Sequence, residues 1–433
     1  MISDTPMCES KTTESRKKVL YRAKIIQAVN DDLCDFFDDG GLLCEGGVIT
    51  GFGKFELLES EADEVHEFRD SNGLQTMLPP FSDIHFHWVQ DRVSAMDKDA
   101  LLKWLENFVF PEEANFADEV FCRTRANDFA SKLFRCGTLS GAIYSSIHAS
   151  SFSIIQEALI GHFLVGNVVM THNSPTYLTQ TKDISLRQVA QLINEPKYAV
   201  TPRFALSCDA QTLLGLGSLI TADNFVQTHL SETLLEIQET LGLYRQWPEF
   251  ADVSTYLEIY QRAGLIQKRC ILGHCIHLED SEWQVLAETQ AAIAHCPTSN
   301  APQSQRGLGS GLFDLERARR EGVRWALASD IGAGPYLSML DVMQSFLQQH
   351  SDDGCSVTAT EALYRATLAG ANILEVYELT GFKPGNWASF VVLPSCSASD
   401  AEHALRQIID LPRESFNELS RAVCHRGDLR VYN

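Results

Sequence analysis

Two histidines, His85 and His87, stand one residue apart in the segment Asp83-Ile84-His85-Phe86-His87. On an extended chain, residues i and i+2 point to the same side, so both imidazoles can reach one ion. Neutral imidazole is a good zinc ligand, and three or four ligands with one open position make a catalytic site. An H-x-H pair alone is common; it gains meaning from His229 and Asp330, which also end apolar runs. Asp330 can ligate the ion and accept a proton from a water, whose pKa a bound cation lowers to about 7. A helix cap is the alternative use of that carboxylate. Glu232 follows His229 by three residues. It can shuttle protons to a substrate, or serve only as the acid at a helix N-terminus. His274 closes the run Ile271-Leu272-Gly273 and can be a ligand or a donor to substrate or water. Arg203, in Pro202-Arg203-Phe204, stays charged and cannot bridge two metals, so one ion is expected. Its guanidinium suits an oxygen on a substrate or a salt bridge inside the fold. His277 reads as structural or exposed, and His295 as a supporting group or a packed core histidine.

These residues are far apart in the chain, so the elements between them must bring them together. From about residue 75, short apolar runs alternate with helical patterns, which argues for βα units and a parallel sheet. Eight strands are predicted, at 76–87, 138–146, 166–172, 198–206, 225–231, 269–275, 291–297 and 323–330. Ala126, Phe129, Ala130, Leu133 and Phe134 share one helical face, and Gly137 follows as a stop signal. Eight strands with intervening helices make a (β/α)8 barrel, in which reactive groups sit at the C-terminal strand ends. His85, His87, His229, His274 and Asp330 fall at those ends. Short β-like runs with glycine punctuation at 19–28 and 47–55, and another at 388–393, predict a small β-domain from both chain ends. The expected division is 76–384 for the α/β barrel, with 1–75 and 385–433 for the flanking domain.

Composition narrows the partners. With 57 acidic and 35 basic residues the formal net charge is -22, a field that repels phosphate backbones and anionic lipid. Neither nucleic acid nor a membrane is expected as a partner. The 12 cysteines form no C-x-x-C pair, and several lie in apolar runs, as reduced thiols of a reducing compartment do. The first 18 residues are polar and lack the apolar core of a secretory signal. A soluble cytoplasmic protein is expected.

Longer motifs sharpen this. Asp83-Ile84-His85-Phe86-His87-Trp88-Val89-Gln90, Thr201-Pro202-Arg203-Phe204-Ala205-Leu206-Ser207-Cys208, and Ser329 to Leu340 occur in this order, with further matches at 101–111, 227–232, 272–274 and 294–300. Together they resemble the metal-dependent deaminases of the amidohydrolase superfamily, and within it the guanine deaminases. The resemblance implies a barrel plus a small β-sandwich built from both termini, commonly as a homodimer. It implies that His85, His87, His229 and Asp330 hold one zinc ion per chain. It further implies that Asp330 takes a proton from the attacking water, Glu232 delivers one to a ring nitrogen, and His274 touches water or substrate. Gln90, Arg203 and Phe204 would contact the purine, with Trp88 beside them. The reaction implied is hydrolytic loss of the exocyclic amine of guanine, giving xanthine and ammonia. A pterin or an oxidised purine is the alternative substrate, and a catalytically silent scaffold the alternative of another class; all the expected ligands and Glu232 are present. The sequence departs from the family at Met170-Thr171, where an aspartate commonly follows the methionine.

Overall fold

Pro79 and Pro80 cut the first predicted strand in two. Proline has no N–H to offer a ladder, so the chain can change sheets there. In the computed structural model, which describes residues 17–98 and 100–432, the piece before the prolines, Gly73–Leu78, joins a sheet made from the two chain ends. The piece after them, Phe81–His87, is the first strand of the barrel. The N-terminal segment from which no signal peptide was expected lies, up to residue 16, outside the described residues.

The remaining barrel strands are Thr138–Tyr144, His162–Gly166 continued by Val168–Val169, Ala199–Pro202, Phe225–Leu230, Cys270–His274, Ala292–His295 and Arg324–Leu327. All neighbours pair in parallel. The third strand starts four residues before its predicted start at 166. Asn167 interrupts its ladder and accepts a hydrogen bond from the Tyr198 hydroxyl (2.7 Å). The barrel closes between its last and first strands, where the Asp330 amide donates to the His85 carbonyl (2.9 Å) and the His87 amide to the Ile331 carbonyl (3.1 Å). The strands are buried except at His162, Phe225, His229 and Arg324, which are partly buried, as expected of a parallel sheet covered by helices. Helix Glu119–Arg135 places Ala126, Phe129, Ala130, Leu133 and Phe134 inward and is capped by Asp118, whose carboxylate accepts from Val120 and Phe121.

The terminal sheet has nine strands, with Asp428–Val431, Ala422–His425, Phe390–Ser395, Gly73–Leu78, Lys18–Ala28, Cys34–Glu45 and Val48–Lys54 in spatial order and two short strands off this path. Tyr21, Phe68 and Phe390 stack at its own core. Arg365 ties it to the barrel, gripping both oxygens of Asp31 (2.7 and 2.6 Å) while its guanidinium lies 4.0 Å above the Trp325 ring. A separate apolar cluster, including Val93, Trp104, Leu105, Val109, Phe110, Met170 and Phe204, covers the C-terminal mouth of the barrel. Much of it comes from the helical segment 101–114, which makes one π-helical turn at Leu105–Val109. No helix among the described residues is long and apolar enough to cross a membrane.

Candidate active site

Alternation along the first barrel strand turns His85 and His87 to the barrel interior, as their spacing requires. His229 stands at the end of strand five. Its Nδ1–H donates to the Arg203 carbonyl (2.6 Å), which leaves Nε2 free to face the centre. Asp330 follows strand eight with a left-handed backbone (φ 48°). One ligand atom from each of His85, His87, His229 and Asp330 lies within 4.8 Å of the other three. The Nε2 atoms of His85 and His87 are 3.4 and 3.7 Å from Asp330 Oδ1, and those of His87 and His229 are 3.1 Å apart.

This donor set fits a single divalent ion. His85 is fully buried yet neither ring nitrogen has a hydrogen-bond partner, and Asp330 Oδ1 has none either. Unpartnered polar atoms are costly in a dry interior unless something coordinates them. Burial drives the pKa of all three imidazoles well below the ordinary histidine value, so they are neutral and offer lone pairs. Three imidazoles and a carboxylate suit zinc.

Backbone close approach helps set this geometry. A Cβ at Gly273 would stand 2.6 Å from His85 Cε1. Left-handed backbones at Ser231, His274 and Cys275 bend the chain where strands five and six end; such non-glycine conformations cost free energy and cluster at functional sites. Tyr144, at the end of strand two, packs its ring 4.7 Å from His85 and 4.5 Å from His87.

Beside the ligands lies a small cavity, lined by His87, His229, Asp330, Glu232, His274, Gln90, Arg203 and Phe204, with Leu101, Trp104 and Leu105 from the covering segment. Glu232 is 2% exposed. Burial, and next the neighbouring Asp330, push its pKa up to about 8, and Asp330 is itself raised to about 6 chiefly by burial. The two carboxyls compete for charge, so a proton shared among these groups is held near neutrality. His274 Nε2 lies 3.6 Å from Glu232 Oε2 and 3.9 Å from Asp330 Oδ2. Asn300 donates from Nδ2 to Glu232 Oε1 (3.4 Å) and to His274 Nδ1 (3.1 Å), and Ser310 donates to Glu232 Oε1 (3.1 Å). With Nδ1 accepting, a neutral His274 carries its proton on Nε2, facing the cavity.

Of the two readings of Arg203, the structure shows the salt bridge inside the fold. Arg203 lines the cavity, and its Nη1 donates to both oxygens of Glu113 (2.9 Å each). Gln90, on the turn after strand one, also donates to Glu113 Oε1 (2.9 Å). Gln90 approaches Gly332 so closely that a Cβ there would meet its Oε1 at 2.3 Å, and Gly332 has φ 124°. Trp88 needs correction. It does not line the cavity; its indole donates to Ser145 Oγ (2.9 Å) and its ring meets Phe116 edge-on. Residue 88 follows the inward His87 and points the opposite way, into the helix layer. His295 packs in the core against Phe313, Trp325 and His350, while His277 Nε2–H donates to the Ser310 carbonyl (2.9 Å) and does not line the cavity. Thr171 is turned from the cavity to a local network, where its hydroxyl donates to Thr212 and accepts from the Asp209 amide.

Glu113, Tyr144, Asn300 and Ser310 escaped the sequence reading. Asn300 ends the one-turn helix Pro297–Asn300, at the close of the matched stretch 294–300 but with no role read for it, Ser310 lies on the irregular stretch beyond, and Glu113 reads as one more acid on an acidic helix. The segment 101–111 that leads to Glu113 did carry a motif signal, but the carboxylate itself lies two residues beyond it.

Residues 76–423 match the model of the amidohydrolase family. The chain is 34% identical to the guanine deaminase of Escherichia coli over 370 residues, covering 83% of this chain and 82% of that protein. Among solved structures, E. coli guanine deaminase superposes with a TM-score of 0.84 at 28% identity, covering 96% of this chain and 99% of the other. The guanine deaminase of C. acetobutylicum, solved with guanine bound in its active site, superposes with a TM-score of 0.82 at 25% identity, covering 96% of this chain and all (100%) of the other.

Proposed function

Since this chain belongs to the amidohydrolase family, we propose that it is a hydrolase acting on the exocyclic C–N bond of guanine, releasing ammonia and leaving xanthine. The observation that carries this reading is the joining of one donor set to one cavity. Three neutral imidazoles and a carboxylate converge beside a pocket that holds a buried acid, Glu232, and a buried cation, Arg203. A wholly binding protein has no use for unpartnered buried ligand atoms beside an acid with a raised pKa.

His85, His87, His229 and Asp330 would hold one zinc ion. When bound, the ion supplies Lewis acidity, which makes a water nucleophilic at neutral pH. The protein residues do the rest. Asp330 accepts the proton that the attacking water loses. Glu232 delivers a proton to the ring nitrogen beside the amine-bearing carbon, where negative charge builds as the water adds. Its burial favours the protonated acid before this step. His274, with its proton on Nε2, donates to the oxygen of the attacking water. Gln90 and Arg203 donate to the ring and its carbonyl oxygen, and Phe204 packs on the ring face. The covering segment 101–114 keeps bulk water from the cavity. The same reading carries a homodimer in the cytosol, tested by light scattering and by cell fractionation.

The test is ammonia release by the zinc-loaded protein from guanine, adenine, cytosine and a pterin. Guanine should be the preferred substrate, with about one zinc per chain. Glu232→Gln should lower kcat by about 10²-fold or more, in the range of general acid–base catalysis, with zinc content kept. Turnover of a pterin in preference to guanine would replace the substrate assignment, and near-normal turnover in the Gln variant would remove Glu232 from the mechanism.

A further inference from the structure

A fixed cation at the wall of a small cavity would be expected to attract anions. Here the cation is cancelled. Arg203 is 3% exposed and Glu113 is 1% exposed. Glu113 does not line the cavity but lies directly behind the two groups that do, taking Nη1 of Arg203 on both oxygens and the Gln90 amide on one. Nη1 also touches Met170 Sδ (3.7 Å), so the other donors, Nε and Nη2, are the ones left for a ligand. The guanidinium carbon sits 5.3 Å from the centre of the Phe110 ring, on the same helical segment as Glu113. Residue 113 thus does two things: it aims two donors, and it removes their net charge.

We propose that Glu113 is a positioning residue that makes the cavity select neutral oxo-heterocycles over anionic ones. The inference rests on the reading above that the cavity takes an oxo-purine. With the pair intact, Arg203 and Gln90 present N–H dipoles to a carbonyl oxygen without a net positive field. A neutral substrate is gripped, and a ring that has lost an N–H proton gains little from Arg203. Since the deamination product is a dioxo ring more acidic than its parent, the same balance limits inhibition by the ionised product. Removing the carboxylate alone leaves an uncompensated buried guanidinium, which must find its counter-ion in the ligand.

The experiment measures, by calorimetry on zinc-loaded protein at one neutral pH, the ratio of Kd for hypoxanthine, a neutral oxo-purine, to Kd for urate, an anionic one. Glu113→Gln keeps size and an acceptor oxygen. It should raise relative affinity for urate by about tenfold, a modest part of the Coulomb attraction between charges a few ångströms apart near a protein surface. Glu113→Asp, which restores the charge, should return most of the wild-type ratio. The double variant Glu113→Gln/Arg203→Gln removes both charges together, a change that buried pairs often tolerate. It should bind both rings more weakly but with the wild-type ratio, so the comparison survives if the single variant does not accumulate. An unchanged ratio in Glu113→Gln, or a double variant with a shift as large as the single one, overturns the proposal. Binding is read without turnover. Absence of ammonia release from guanine would therefore fail the proposed function, while an unmoved ratio would fail only this inference.

Discussion

Gly273→Ala isolates the contact that holds His85 in place. Gly273 lies within strand six, opposite His229 of strand five and Ala294 of strand seven. Its backbone is not among the left-handed glycines, so alanine meets no conformational penalty there. The penalty is steric. The added Cβ would lie 2.6 Å from His85 Cε1, 2.9 Å from Nδ1 and 3.1 Å from Nε2, where ordinary contact begins at 3.4 Å. The ring or the strand must therefore yield by 3.4 − 2.6 = 0.8 Å. His85 is fully buried and has Tyr144, His229 and His274 around it, so it has little room to retreat. A metal site is specified to about ±0.2 Å in its ligand distances, so a displacement of this size removes one ligand from productive range. We expect zinc affinity, measured by competition with a chromogenic chelator, to fall at least as far as when a ligand's supporting contact is lost, about 10–100-fold. Overpacking should lower stability by about 1–3 kcal/mol, seen in chemical denaturation, with the circular dichroism spectrum retained. Turnover should recover in part at high zinc. If Gly273→Ala binds zinc as tightly as the parent, the argument that this glycine sets the position of His85 is wrong.

Two other substitutions probe separate parts of the argument. Asn300→Ala removes the amide shared by Glu232 and His274; leaving a buried hydrogen-bonding group without its partner costs about 1–3 kcal/mol, so kcat should fall about 5–100-fold with KM and zinc content nearly unchanged, and a rise in KM alone would count against the role. Asp341 is buried on the helix that follows the Asp330 loop and is not among the candidate ligands, and burial raises its pKa to about 7, above the ordinary 3.8. The folded state therefore holds that proton more tightly than the unfolded chain, so the stabilisation is complete below pH 3.8 and is lost as pH rises through about 7. Asp341→Asn removes this dependence, while Arg413 keeps its bonds to the Asp341 carbonyl and Ser345; denaturation midpoints at pH 5 and pH 8 should show the variant gaining on the parent as pH rises, and a parallel pair of curves would refute the assignment.

The barrel, and the strand ends that bring the four candidate ligands together, were legible because both follow from local rules. Alternation places His85 and His87 on one side, and apolar runs that stop at a polar residue mark the strand ends. Trp88 failed by the same rule applied one residue further, where the parity changes. What local rules could not supply was any pairing across sequence. Glu113 meets Arg203 across 90 positions and Glu232 meets Asn300 across 68. Neither partner carries a periodic signal, since one lies in an acidic helical stretch and the other ends a single helical turn too short to show a period. The prolines at 79–80 were visible as residues, but their effect was not. Whether a proline pair bends a strand or ends it depends on which other strand waits beyond, here Phe390–Ser395 from the far end of the chain.

The positions of the ligands also bear on why this barrel closes where it does. A parallel barrel has one seam where the last strand must find the first, the longest loop to close in sequence and the costliest in chain entropy. Here the strands themselves contribute few seam bonds. The Asp330 and Ile331 backbone joins that of His85 and His87, while Ser329 donates from both its amide and its hydroxyl to the buried Asp83 carboxylate. Three of the four candidate ligands are therefore seam residues, two from strand one and one from strand eight, and the fourth, His229, is fastened to strand four through its Nδ1. An ion held by all four would draw together the two edges whose meeting is entropically dearest. Local strain is tolerated at Asp330 because the seam fixes it from both sides, and the same backbone bonds that close the barrel set the ligand atoms within reach of one another.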